Sequence, residues 1–235
     1  MAADAPFLTY RFILADGSVR EFPVRLDPST LKAPPLARAM IPAWARLANH
    51  RCPNCPLQEA EHPYCPAALS VIDIVEAFRD SRSTEQATVE VLTQARAFSK
   101  RVSLADGVSA LLGVLMPTSG CPVLAKLRPN VLTHLPFATV QETIYRTLTM
   151  YLLAQFFAAK RGKKPDWTLD EFGLLIEDVR LVNKNFCQRF YEACLKDVNV
   201  NALCHLDCFA ELTAGAAKRH ERLAAIEKLF EAFGA

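Results

Sequence analysis

The sequence predicts an α+β protein, mostly helical, with a small antiparallel sheet near its start and an antiparallel helical region at its end. Three observations carry this. Residues 7–26 alternate around an Asp16-Gly17 turn signal, the pattern of a hairpin. Fourteen of the fifteen prolines lie at or before Pro136, which leaves only the last hundred residues free to run as long helices. From Val140 onward apolar residues recur at helical spacing. The 235 residues suffice to bury a full core. We read 1–235 as a single domain, with a mixed, proline- and cysteine-rich part over 7–136 and a helical part over 137–235.

In the hairpin, Tyr10, Phe12 and Leu14 alternate on the first strand, and Val19, Phe22, Val24 and Leu26 lie on the return. Pro23 has no N–H to give a ladder, so the return strand should have a free edge or a bulge. Pro28, Pro34, Pro35 and Pro42 predict an irregular crossing with a short helix near 36–40. Pro66 suits the first position of a helix, and Leu69, Ile72, Val75, Ala77 and Phe78 give that helix an apolar side to about Arg79. Residues 88–93 alternate and read as a strand that joins 8–14 and 19–26 in the sheet; 97–102 reads as a second strand or extended piece. Ser103 with Asp106 resembles a capping box opening an apolar helix over 108–116, which Pro117 should end. Thr139 with Glu142 is a cleaner box for a helix carrying Ile144, Leu148, Tyr151 and Phe156. Thr168 with Glu171 should open the next, whose buried side carries Phe172, Ile176, Val179, Phe186 and Phe190. Helical spacing continues over 200–233, with a break expected at Gly215.

A formal charge of +2 and the lack of any basic block beyond the solvated loop at 160–164 give no indication of nucleic-acid binding. No run of 18 apolar residues exists, so no membrane span is expected. The start, Met1 to Pro6, lacks the basic and apolar regions of a signal peptide. The expected compartment is the cytoplasm, where eight cysteines are thiols or ligands rather than disulfides.

Chemistry concentrates in the cysteines. Cys52, Cys55 and Cys65 fall within fourteen residues, and each is followed by proline, as is the distant Cys121. Chance pairing of eight cysteines with fifteen prolines would give about half a Cys-Pro pair, against four here. Thiolates suit zinc and iron–sulfur clusters, and a Cys-x-x-Cys turn holds one metal from one tight loop while the fold brings two further ligands. Proline after each ligand stiffens the loop and lowers the entropy lost when the ligands converge. Cys52, Cys55, Cys65 and Cys121 are therefore the candidate ligands of a [4Fe–4S]-type cluster or of Zn²⁺. Zinc sites usually offer two close pairs, and Pro56 stands where a zinc knuckle commonly has a flexible residue with an N–H; cluster ligation tolerates the irregular spacing found here. The competing reading is a proline-rich loop whose small buried cysteines only pack, with His62 and His134 as alternative ligands. Cys187, Cys194, Cys204 and Cys208 lack a following proline and fall in helices, where packing is the default; a second site using them with His205 is the alternative.

The motifs Cys52-Pro-Asn-Cys55-Pro-Leu57, Tyr64-Cys65-Pro66, Ser119-Gly-Cys121-Pro122 and His134-Leu-Pro-Phe137 resemble an uncharacterised family of bacterial proteins. The likeness runs from about residue 7 to about residue 210. It implies a shared four-cysteine feature, no assigned activity, and no part for the four helical cysteines.

Two classes of function follow. The first is a metal- or redox-responsive sensor or adaptor, with room for a protein partner. The second is an enzyme using the cysteine-bound centre with His134, Glu142 and Arg146 in a nearby pocket. A third, a metal-free helical interaction module, requires the cysteines to lie apart. No nucleophile signature, glycine-rich phosphate loop or Walker pattern is present.

Overall fold

The computed structural model describes residues 5–36, 38–218 and 220–234. Residues 1–4, on which the expectation about a leader rests, lie outside the described residues.

Strands β1 (Leu8–Ile13) and β2 (Val19–Val24) form the expected hairpin, with Tyr10 opposite Phe22. Its turn is closed locally: Leu14 N–H donates to Ser18 O at 2.9 Å, and Asp16 Oδ1 accepts from Ser18 N at 2.9 Å. Gly17 takes φ +83°, a conformation a side chain would strain. β3 (Gln86–Thr93) pairs with the other edge of β1, and β4 (Ala97–Ser103) pairs with β3, so the antiparallel order is β2-β1-β3-β4. β2 is an edge, which is how it accommodates Pro23. Leu8, Tyr10, Phe12, Val89 and Val91 point into the core. On the opposite face Arg11 bridges Glu21 and Glu90, each at 2.7 Å and directly across the ladder.

Helix α1 (Pro66–Ser70) starts on its proline, with Cys65 as N-cap; α2 (Ile72–Ala77) follows after a break at Val71. The single helix expected to reach Arg79 is thus two short ones. The short helix expected near 36–40 is instead a 3-10 turn at Ala43–Ala45; Ala37 itself lies outside the described residues. α3 (Leu104–Thr118) lies on the sheet. Its contact point is Gly107, where a Cβ would meet Phe12 Cε1 and Val89 Cγ2 at 2.8 Å. Ser103 caps it by accepting from Asp106 N. Pro117 does not end α3 but sits in its last turn. There its missing N–H forfeits a single helical bond, and Thr118 Oγ1 donates to Val114 O at 2.9 Å.

A 3-10 turn (Leu124–Leu127) and α4 (Pro129–Leu132) lead to α5 (Val140–Lys160), which carries the complete Thr139–Glu142 capping box. α6 (Asp170–Ala193) does not start as expected. Asp166, not Thr168, serves its free N–H groups: Oδ1 accepts from Asp170 N at 3.1 Å and Oδ2 from Glu171 N at 2.9 Å. α7 (Val198–Lys218) packs on α3, α5 and α6 and runs through Gly215 without the expected break; α8 (His220–Glu227) and a 3-10 turn (Lys228–Phe233) follow. One core joins the sheet, α1–α3, α6 and α7, and a second joins α5, the start of α6 and the end of α7 around Tyr151 and Phe172. Among the described residues no helix is long and apolar enough to cross a membrane.

Candidate metal centre

The first three cysteines sit in a loop pinched at its base. Cys65 N donates to Ala45 O at 2.9 Å, Leu47 N donates to Pro63 O at 2.9 Å, and Arg46 bridges Tyr64. Within the loop Cys55 N donates to Cys52 O at 3.0 Å, closing a tight turn with Pro53 at its second position. Arg51 Nη2 donates to Leu57 O at 2.6 Å, and Asn54 Nδ2 donates to Asp178 O at 3.0 Å, which ties the turn to α6. The fourth cysteine arrives from the end of α3. Gly120 adopts φ +97°, and a Cβ there would touch Pro66 Cβ at 3.8 Å. The Cys121 loop therefore rests on the proline that follows Cys65, which closes the long sequence gap between them.

Cys65 and Cys121 are buried, and Cys52 and Cys55 are half-buried against the same core. Burial first, and then the thiol of Cys65, push Cys52 up to about 12; Cys121 and Cys55 act on it in the same direction. Burial likewise raises Cys65 and Cys121, each of which also feels Cys55. The four sulfurs thus lie within electrostatic reach of one another. They are not drawn to ligand spacing: among the described residues no three His, Cys, Asp or Glu side chains are grouped so that they could hold a metal ion.

Two features of the surroundings favour negative sulfur. Backbone N–H groups of Ala67 and Ala68 donate toward Cys65, and those of Val123 and Leu124 toward Cys121. Each set belongs to a helical turn that begins just after its cysteine. The second feature is Arg189 of α6, only 1% exposed. It donates to the carbonyls of Trp44 and Arg46 at 2.7 Å and of Leu47 at 3.2 Å, in the segment from which the cysteine loop departs. Its charge lowers the pKa of Cys52 and Cys65, and among the described residues it has no carboxylate ion pair. Sequence reading missed Arg189. The available signal was an arginine between Phe186 and Phe190 on the buried side of an amphipathic helix.

The remaining candidates divide. His62 is exposed. Cys187 on α6 meets Cys204 on α7 thiol to thiol, a pairing across helices rather than along one, and burial followed by Cys204 pushes Cys187 up to about 12. Cys194 accepts from Asn199 Nδ2 at 3.4 Å, Cys208 is exposed, and His205 Nδ1 lies 3.1 Å from Asp106.

A cavity of about 390 Å³ opens between α3, α5, α6 and α7. His134 and Arg146 line it, while Glu142 stays at the surface in its capping box; none of the four Cys-Pro cysteines lines it. His134 Nε2 and the Tyr10 hydroxyl are 2.6 Å apart, and burial, then Arg146, push His134 down to about 3. An imidazole so reluctant to take a proton is a poor general base near neutral pH.

Comparison with protein families matches residues 8–231 to a family described as a domain of unknown function, DUF6901. No curated protein and no solved structure matches the chain.

Proposed function

The chain belongs to the DUF6901 family, and from the surroundings of its four cysteines we propose that it is a metal-responsive sensor or adaptor. Cys52, Cys55, Cys65 and Cys121 would hold Zn²⁺ or a [4Fe–4S]-type cluster. The observation that carries this is Arg189. A buried guanidinium with no direct carboxylate ion pair is costly unless negative charge is near it. Glu192 supplies part of that charge, and four thiolates on either centre would add to it where neutral thiols do not. The N–H groups at Cys65 and Cys121 support the same reading, since hydrogen bonds to the charged form of a group favour it. With thiols that resist ionisation in the metal-free chain, binding must displace protons and draw the sulfurs together, so metal and fold are coupled.

The bound metal supplies a cross-link, and for a cluster a redox centre as well. The chain supplies the ligands, the counter-charge and a loop pinned at both ends. An adaptor role has further support in exposed Leu153, Phe156 and Phe157, which lie together on α5 and suit a protein partner. The enzymatic alternative has less support, because the cysteines stand apart from the cavity and His134 is a weak base.

Anaerobic purification followed by a visible spectrum and elemental analysis tests the proposal. Brown protein with iron and acid-labile sulfide identifies a cluster, and colourless protein with one zinc per chain identifies a structural zinc. The proposal fails if neither metal copurifies and serine at all four positions leaves stability unchanged.

A further inference from the structure

The cavity between α3, α5, α6 and α7 has no part in the metal proposal, yet it has the composition of a binding site. Its volume of about 390 Å³ falls in the range of roughly 300–1,000 Å³ used for small molecules. Leu112, Met116, Val179, Leu206 and Phe209 make most of its wall apolar. Two polar side chains interrupt that wall. Asn183 is 4% exposed and Ser109 is 6% exposed, both line the cavity, and among the described residues neither side chain has a hydrogen-bond partner. Both therefore offer free hydrogen-bonding groups to whatever fills the cavity.

Charge indicates what that is. Arg146 reaches the cavity from α5 with Nη2 donating to Asn130 O at 2.8 Å, and its Nε is buried without a partner among the described residues. Among the described residues it has no direct carboxylate ion pair: Glu142, one turn away, hydrogen-bonds Thr139 and acts on Arg146 through space. Lys100 is the second cation on the wall. The acidic group of the lining, Asp106, is already engaged by Ser103 Oγ at 2.6 Å and His205 at 3.1 Å. The His134 ring is neutral and taken by Tyr10. The wall therefore presents a guanidinium with an unpaired N–H and no direct ion pair beside an apolar volume.

We propose that this cavity binds a monocarboxylate with an apolar body, its carboxylate paired with the Arg146 guanidinium and its chain lying along the apolar wall. A guanidinium fork matches a carboxylate edge, and Asn183 and Ser109 add neutral hydrogen bonds. A single arginine with one lysine favours this head group over a phosphate, whose higher charge calls for more cations.

The test is calorimetric titration of the full chain, in one metal state throughout, with hexanoate, octanoate, decanoate and decan-1-ol. The expected result is binding that tightens about fourfold per added CH₂ until the cavity is full, with decanoate at least about tenfold tighter than decanol. Arg146→Gln should bring decanoate to within about threefold of decanol while decanol still binds, which separates loss of the charge from loss of the fold. Ala210→Phe, which fills the cavity from α7, should abolish binding of both. Should Arg146→Gln fail to fold, Arg146→Lys serves, and it should weaken decanoate alone. Equal binding of decanoate and decanol to the wild type, undiminished decanoate binding by the Arg146 variant, or undiminished binding by Ala210→Phe would each overturn the proposal.

Discussion

At the scale of single residues, burial decides the chemistry of the groups described above. Cys52 is raised from 9.0 to about 12 in the folded chain. The folded state then holds a proton that the unfolded state releases, so in metal-free protein this contribution is intact below about pH 9 and is lost as pH rises toward about 12. Denaturant titrations at pH 8 and 10 should show metal-free protein weakening by up to roughly 1.4 kcal/mol per pH unit per such thiol, with Cys52→Ser reducing the slope. His134 works in the opposite sense. Its folded pKa of about 3 lies below the ordinary 6.5, so the unfolded state binds the extra proton, and stability present above about pH 6.5 is lost as pH falls toward 3. His134→Gln should flatten that acid limb. Arg189→Met should destabilise by about 3 kcal/mol or more in urea, because three carbonyls lose their donor. On the metal proposal it should also weaken metal retention. None of these environments could be read from the sequence. Cys-Pro pairing singles out four cysteines, but whether a cation stands beside Cys52 and Cys65 depends on a residue more than a hundred positions away.

At the scale of elements, local chemistry was legible where nothing stronger competed. Asp16-Gly17 turned the first hairpin, and Thr139 with Glu142 capped α5, because each signal is satisfied by its own neighbours. Thr168 with Glu171 carried the same motif and lost, since the fully charged carboxylate of Asp166 reaches both N–H groups and is itself fixed by Tyr151 Oη at 2.7 Å. Thermal denaturation should separate the two cases: Asp166→Ala should cost about 1–2 kcal/mol and Thr168→Ala under about 0.5. Thr139→Ala should cost about 1 kcal/mol. Gly107 shows the limit of propensity arguments. Alanine is the better helix former, yet Gly107→Ala should destabilise by about 1–3 kcal/mol, because Phe12 and Val89 must give way beneath α3.

At the scale of the whole molecule, the proline distribution predicted the division of the chain into a mixed first part and a helical remainder, because proline's effect on helices does not depend on tertiary context. The cavity was not legible, since helical periodicity gives the direction a face points and not how closely two faces meet. The exposed α5 residues give a separate check on an adaptor surface. Phe156→Glu with Phe157→Glu should shift folding stability by no more than about 0.5 kcal/mol per site while removing capture of any partner that docks there. The grip of Arg189 on Trp44, Arg46 and Leu47 has a further consequence, in the order of synthesis. Cys65, the last of the three loop cysteines, leaves the ribosome 124 residues ahead of Arg189, an interval of roughly 6–25 s at about 5–20 residues per second. For that interval the nascent chain displays these thiols before Arg189 can close the segment beside them.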